Sequence, residues 1–220
     1  MSNSILILGD SGTGKSTSFR NLDHSKTFII NVLDKPLPFR GYKSKYNRLS
    51  ADGLTGNYYE SDDHDKIMRI IKLVNEKRTD ITNLIIDDFG FTITNTYMRR
   101  SRESSFAKFA DIGRNAWEII SSLRGLRDDL NCIVTMHVDI DQHGKYRPKT
   151  IGKMIDQYCI IEGSFTFVFQ SVIIDHQYKF ITVNDGQHMA KTPLGCFEES
   201  YVENDLNEII KTIENYNIGN

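Results

Sequence analysis

The sequence predicts an α/β fold: a central, mostly parallel sheet flanked by helices and followed by a C-terminal β-hairpin. Three observations predict it. Residues 5–8 (ILIL), 84–86 (LII) and 132–134 (CIV) are uninterrupted apolar runs, the pattern of strands covered on both faces. Each run leads into polar residues, as expected where parallel strands deliver ligands to their C-terminal edge. Two further runs, FTFVFQSVII and YKFITVN, are separated only by a short turn around residues 176–177, which reads as a hairpin.

At 220 residues the chain suits one domain, spanning 1–220, and is long enough to bury a full core. Its apolar and charged fractions, 39% and 25%, are those of globular proteins. No apolar run approaches the ~20 residues that span a bilayer. The N-terminal run is too short for a signal peptide and is interrupted by Asp10. Cys132, Cys159 and Cys196 are odd in number and lack C-x-x-C spacing, so they read as reduced core residues. The expected location is cytoplasmic, the host cytoplasm for a viral protein. A net charge of −2 argues against a wholly basic nucleic-acid binder but leaves room for a local basic groove.

The first strand opens into Gly9, Asp10, Ser11, Gly12, Thr13, Gly14, Lys15, Ser16 and Thr17, where Gly9, Gly14, Lys15 and Ser16 keep the spacing G-x-x-x-x-G-K-[ST]. Glycines there let the backbone turn tightly and bring its N–H groups to a polyphosphate. A helix beginning near Gly14 would add the positive end of its dipole. Lys15 supplies a charge for the outer phosphates and Ser16 a hydroxyl ligand for Mg²⁺. The motif in this context is that of a phosphate-loop (P-loop) nucleoside-triphosphate site.

Residues 27–33 (TFIINVL) read as a second strand. The segment 35–48 is basic through Lys35, Arg40, Lys43, Lys45 and Arg48, with Phe39, Tyr42 and Tyr46 interleaved. It reads either as a solvated loop or as a contact for nucleic acid or a neighbouring subunit. Residues 63–78 carry Ile67, Ile70, Ile71 and Val74 at helical spacing, an amphipathic helix that packs on the sheet.

NLIIDD (83–88) is the second anchor: a strand ending in Asp87, which would hold the metal, through water, beside the phosphate loop. By strand alternation Asp88 points elsewhere, to orient the attacking water or to cap the next segment. About seventy residues separate Lys15 from Asp87, leaving room for an intervening strand, as in motor and strand-exchange ATPases.

Residues 91–106 lack clear periodicity, and Arg99, Arg100 and Arg102 there read as surface groups or phosphate contacts. From 106 to 126, Phe109, Ile112, Ala116, Ile119, Ile120 and Leu123 mark a helix face, with Trp117 a core or interface anchor. Residues 131–139 (NCIVTMHVD) form a further buried strand ending near His137, on the same sheet edge as the phosphate loop. His137 there is a structural residue or a sensor of the γ-phosphate or water. The segment 143–153 is basic and turn-rich, with Lys145, Arg147, Lys149 and Lys153, and reads as a mobile loop suited to DNA. QYCII (157–161) reads as strand, and Phe165, Phe167 and Phe169 as one face of a half-buried antiparallel strand. Leu206, Ile209, Ile210 and Ile213 mark a final helix capped by Asn204 or Asp205.

With the phosphate loop, NLIIDD, VTMH and AKTPLGCFEESYVENDL together, nearly the whole chain resembles phage-type RecA-like core ATPases. These include single-strand annealing proteins that are a recombinase core without added DNA-binding domains. The resemblance implies a RecA-like α/β core, ATP with Mg²⁺, ring or filament assembly, and single-stranded DNA as partner. It places 9–17 on the phosphate loop, Asp87 on the metal-side carboxylate and His137 on the polar sensor. One departure is that no Glu follows TFIINVL, where the family carries its catalytic Glu. Asp34 or Asp88 would replace it, or hydrolysis is slow and ATP acts as a clamp. Lys179 or Lys191 would complete a neighbouring subunit's site in trans. The expected function is therefore an ATPase acting on single-stranded DNA in recombination, annealing or replication. The alternatives are a motor subunit of helicase-loader or packaging type, and a nucleotide-switch binding protein.

Overall fold

The computed structural model describes residues 2–152, 156 and 159–219. One sheet organises it, in the spatial order β10-β9-β8-β1-β5-β4-β2-β3. Its strands are β1 (Asn3–Leu8), β2 (Thr27–Asn31), β3 (Tyr58–Glu60), β4 (Asn83–Asp87), β5 (Asn131–Met136), β8 (Phe167–Ile174), β9 (Gln177–Ile181) and β10 (Tyr201–Glu203). From β3 across to β8 every pairing is parallel, and β9 and β10 add antiparallel at the edge.

The continuous apolar runs follow from two covered faces. Leu6, Leu8, Phe28, Ile30, Leu84, Ile86 and Val134 face α2 (His64–Lys77), α3 (Gly90–Arg99) and α4 (Ala107–Ser122). Ile5, Ile7, Ile29, Ile85 and Ile133 face the opposite layer, which holds Phe19 and α5 (Leu206–Ile218). Asp63 caps α2 by accepting from the Lys66 N–H, and Asp205, rather than Asn204, caps α5 by accepting from the Asn207 N–H.

The intervening strand expected between β1 and β4 is present, but it comes from later in the chain. It is β5, paired with β1 on one side and β4 on the other. Its C-terminal end therefore lies between the phosphate loop and Asp87.

Several local expectations change. Residues 90–99 form α3, although only Thr92 and Ile93 are buried, which leaves too little apolar surface for a readable period. Trp117 is half exposed on α4, so it is not a core residue. The segment 143–153 is not a plain loop: β6 (Val138–Ile140) pairs with β7 (Tyr146–Pro148) as a hairpin. Lys153 lies outside the described residues, as do Gln157 and Tyr158 of the expected QYCII strand. Cys159 and Ile160 are non-strand, and a short 3₁₀ turn follows at Glu162–Ser164. Phe167 and Phe169 are buried as expected, but β8 is buried on its other face as well through Ser171, and it runs parallel to β1 before its end pairs antiparallel with β9. The β8–β9 hairpin itself stands; Asp175 (φ 49°) and His176 (φ 63°) make its two-residue left-handed turn.

The short α1 (Tyr42–Lys45) lies inside the basic 35–48 segment. The three cysteines are buried and unpaired. Among the described residues no helix is long and apolar enough to cross a membrane.

Candidate active site

The phosphate loop leaves β1 at the C-terminal edge of the sheet. Its Gly9 N–H donates to the Met136 carbonyl at 3.2 Å, tying the loop to the end of β5. Gly9 is required by close approach: a Cβ there would lie 2.1 Å from Ser171 Oγ and 2.9 Å from the Ser171 carbonyl on β8. Gly14 has φ 100°, a conformation side chains avoid, and packs against the Tyr178 ring and the Asn204 carboxamide. Thr13 Oγ1 lies 2.7 Å from Ser171 Oγ and donates to the Asp10 carbonyl at 2.9 Å. Ser171 in turn donates to the Leu8 carbonyl. Asp10, Ser11 and Gly12 form the exposed crest.

The helix after the loop is shorter than expected. Ser16–Asn21 is a 3₁₀ helix of six residues, ended by extended Leu22. Serine and threonine are weak helix formers, and Ser18 Oγ bonds back to the Lys15 carbonyl at 2.6 Å. So short a helix carries little macrodipole, and the burden of anion binding shifts to loop N–H groups and Lys15.

Lys15 is 6% exposed, and its ammonium donates to the Gly9 and Asp10 carbonyls at 2.8 Å each. Burial lowers its pKa, opposed by the charges of Asp88, Asp87 and Asp10.

Asp87, 3% exposed, ends β4. Ser16 Oγ lies 2.9 Å from both its carboxylate oxygens, and Thr135 Oγ1 on β5 donates to Oδ1 at 2.7 Å. Burial first, and the neighbouring Asp88 charge second, push the Asp87 carboxyl up to about 6. Thr135 does double duty, since its oxygen also accepts the Asp88 N–H at 2.8 Å.

Asp88 does not alternate away. The strand stops at Asp87 and Asp88 takes a left-handed conformation, φ 63°, which Asp tolerates better than most residues. Its Oδ2 lies 2.9 Å from Lys35 Nζ and its Oδ1 3.3 Å from His137 Nε2. Burial raises its pKa, but the hydrogen bonds and charges of His137 and Lys35 outweigh it and hold the carboxyl at about 2. His137 stands edge-on to Phe91, ring centroids 5.8 Å apart, and its carbonyl accepts from the Lys149 N–H at the root of the β6–β7 hairpin.

The remaining candidates lie apart from this cluster. Asp34 is exposed; its carboxylate accepts from Tyr58 Oη at 3.3 Å and lies 3.5 Å from Arg48 Nη2. Lys179 pairs with Glu203 on its own chain, and Lys191 is exposed beyond a bridge to Val168. Arg99 pairs with Asp62, and Arg100 with Glu103 and Asp111. Thr135, Ser171 and Lys35 join the site without a motif to announce them. The one sequence signal among them is Thr135, a lone hydroxyl inside an apolar strand.

The oxygen donors fit Mg²⁺. Ser16 Oγ and the Asp87 carboxylate are hard ligands already brought together, and Mg²⁺ takes only one or two protein groups beside phosphate and water. Among the described residues no group of three or more His, Cys, Asp or Glu would form a metal cage by itself.

Loop sequence, sheet order and the Ser16–Asp87 contact together define a phosphate-loop NTPase fold. No protein-family model matches the chain, and no curated protein matches it. Among solved structures it is similar to the genome-packaging NTPase B204 of Sulfolobus turreted icosahedral virus 2 in complex with ATP-gammaS. The TM-score is 0.41 and the identity 12%, over 84% of this chain and 78% of that one. The same NTPase in complex with AMPPCP gives a TM-score of 0.41 and 12% identity, over 84% of this chain and 76% of that one.

Proposed function

We propose that the protein is a magnesium-dependent ATPase that acts on single-stranded DNA. The observation that supports it best is the contact of Ser16 Oγ with both oxygens of Asp87, directly after the phosphate loop. In this reading Gly9 to Thr17 cradle the triphosphate, and Lys15 leaves the loop carbonyls for the outer phosphates. Ser16 ligates Mg²⁺ and Asp87 holds it through water. Asp88 is the group that accepts a proton from the attacking water, in preference to Asp34, which pairs elsewhere. His137 reads the γ-phosphate or that water. The basic segments 35–48 and 143–153 supply the DNA contact, and assembly into a ring or filament would bring Lys179 or Lys191 to a neighbour's site. Lys191 suits that role better, since Lys179 is held by Glu203.

A second reading, a motor subunit of helicase-loader or packaging type, draws on the same β5 placement between β1 and β4. The two readings separate on the nucleic acid that accelerates turnover. Steady-state hydrolysis is measured with no DNA, with oligo(dT) and with duplex. Acceleration by oligo(dT) alone supports the annealing or recombination reading, and acceleration by duplex alone supports the motor. ATP-dependent partner binding that survives both Asp34→Asn and Asp88→Asn, with turnover unaffected, would favour a nucleotide switch instead.

A further inference from the structure

Lys35 belongs to two sites at once. Its ammonium lies 2.9 Å from Asp88 Oδ2 and 5.5 Å from the centre of the Phe91 ring, yet its side chain is 56% exposed. It also begins a stretch, 35–48, with five cations and no carboxylate. That stretch walls a cleft of about 350 Å³ lined by Lys35, Lys43 and Arg48, by Tyr42, Tyr46 and Tyr58, and by one carboxylate, Asp34. Arg48 is paired with Glu60 at 2.6 Å, and Lys35 with Asp88. Lys43, with Arg40 and Lys45 beside it, has no ion-pair partner among the described residues. Lys35, Lys43 and Arg48 beside the half-buried Tyr42 and Tyr58 rings make a site for a phosphodiester chain with an unstacked base, since every base offers a face to an aromatic ring.

We propose that this cleft binds a single-stranded nucleic-acid phosphodiester, and that Lys35 is a positioning residue shared between that phosphodiester and Asp88. The inference rests on the ATPase reading above and adds the path by which DNA reaches the site. With His137 on Oδ1 and Lys35 on Oδ2, both oxygens of Asp88 are engaged, and the ammonium takes up acceptor capacity that Oδ2 would otherwise offer a water. A phosphate in the cleft competes for Lys35 and frees that oxygen. Nucleic acid then accelerates hydrolysis by removing a hydrogen bond, with no group added to the site.

The test is steady-state hydrolysis with and without oligo(dT), alongside oligo(dT) affinity, for the wild type, Lys35→Met and Lys35→Arg. Oligo(dT) should accelerate the wild type several-fold. Lys35→Met should hydrolyse ATP without DNA at close to the wild-type stimulated kcat, with KM for ATP unchanged and little further response to DNA. Lys35→Arg, which keeps the ion pair, should restore dependence on DNA. A substitution that merely loosened the fold would lower kcat, not raise it. The proposal is overturned if Lys35→Met keeps the wild-type degree of stimulation. It is also overturned if the wild type hydrolyses ATP and binds oligo(dT) without a change in rate, a result that leaves the ATPase reading intact. Absence of both ATP binding and hydrolysis would instead remove the reading beneath it.

Discussion

Burying Asp87 beside Asp88 raises its carboxyl to about 6 in the nucleotide-free protein. The sign follows from linkage. A carboxyl raised above its unfolded value favours the fold below pH ~4, and that contribution is lost as pH climbs through the folded pKa. At pH 8 the ionised group opposes folding by on the order of 2–3 kcal/mol. Asp87→Asn should therefore raise the melting temperature of the nucleotide-free protein at pH 8, with the gain shrinking toward pH 4. The same variant should lose the stabilisation that Mg·ATP gives the wild type. Thermal melts at the two pH values, with and without Mg·ATP, check both halves. Asp88→Asn, by contrast, should keep nucleotide binding and slow turnover by about 10²-fold or more, the usual worth of a positioned proton acceptor. Single-turnover hydrolysis separates it from Asp34→Asn, which should slow the reaction far less.

Two connecting elements hold these residues in place, and each has a position where one substitution tests it. Thr135 on β5 donates to Asp87 and accepts from the Asp88 N–H. Thr135→Val keeps the shape but leaves a buried N–H unsatisfied. The expected loss is about 1–3 kcal/mol of stability, read by denaturant unfolding, together with slower hydrolysis. The long β2–β3 connection returns to the sheet through Gly56, at φ 86°, where a Cβ would lie 2.3 Å from the Arg48 carbonyl. Gly56→Ala should cost about 2–4 kcal/mol and disturb the cleft that Arg48 lines. How far such features were legible depended on whether their cause was local. The phosphate loop, the strand ending in Asp87 and the face of α2 follow from spacing along the chain. The left-handed turn that brings Asp88 back to the site, and the reach of Lys35 from the end of β2 to the end of β4, exist only once the sheet is assembled. α3 escaped detection because threonines and polar residues occupy most of it and only Thr92 and Ile93 are buried.

On the scale of the molecule, the sheet order made the site. Placing β5 between β1 and β4 gives Thr135 and His137 a position between the phosphate loop and the two carboxylates. The sequence showed β1, β2, β4 and β5 but not their order, because β5 is inserted from later in the chain, and the short edge strands β3 and β10 were not legible. The two-sided core also explains why β8, half-buried by its alternation, is covered on both faces: α5 packs with Phe167 and Phe169, and Val168, on the face periodicity assigned to solvent, joins the opposite layer. Phe169→Ala, in that core, should cost about 3–5 kcal/mol by denaturant unfolding. On the single-stranded-DNA reading proposed above, oligo(dT) affinity should fall as salt rises, since phosphate contacts release counterions. The most direct test of the account is calorimetric titration of ATP into the wild type and Lys15→Ala, each with Mg²⁺ and with EDTA. Saturable one-to-one binding to the wild type, weakened about tenfold or more by either change, is the predicted result. Equal binding by Lys15→Ala, or no binding by the wild type, would contradict it.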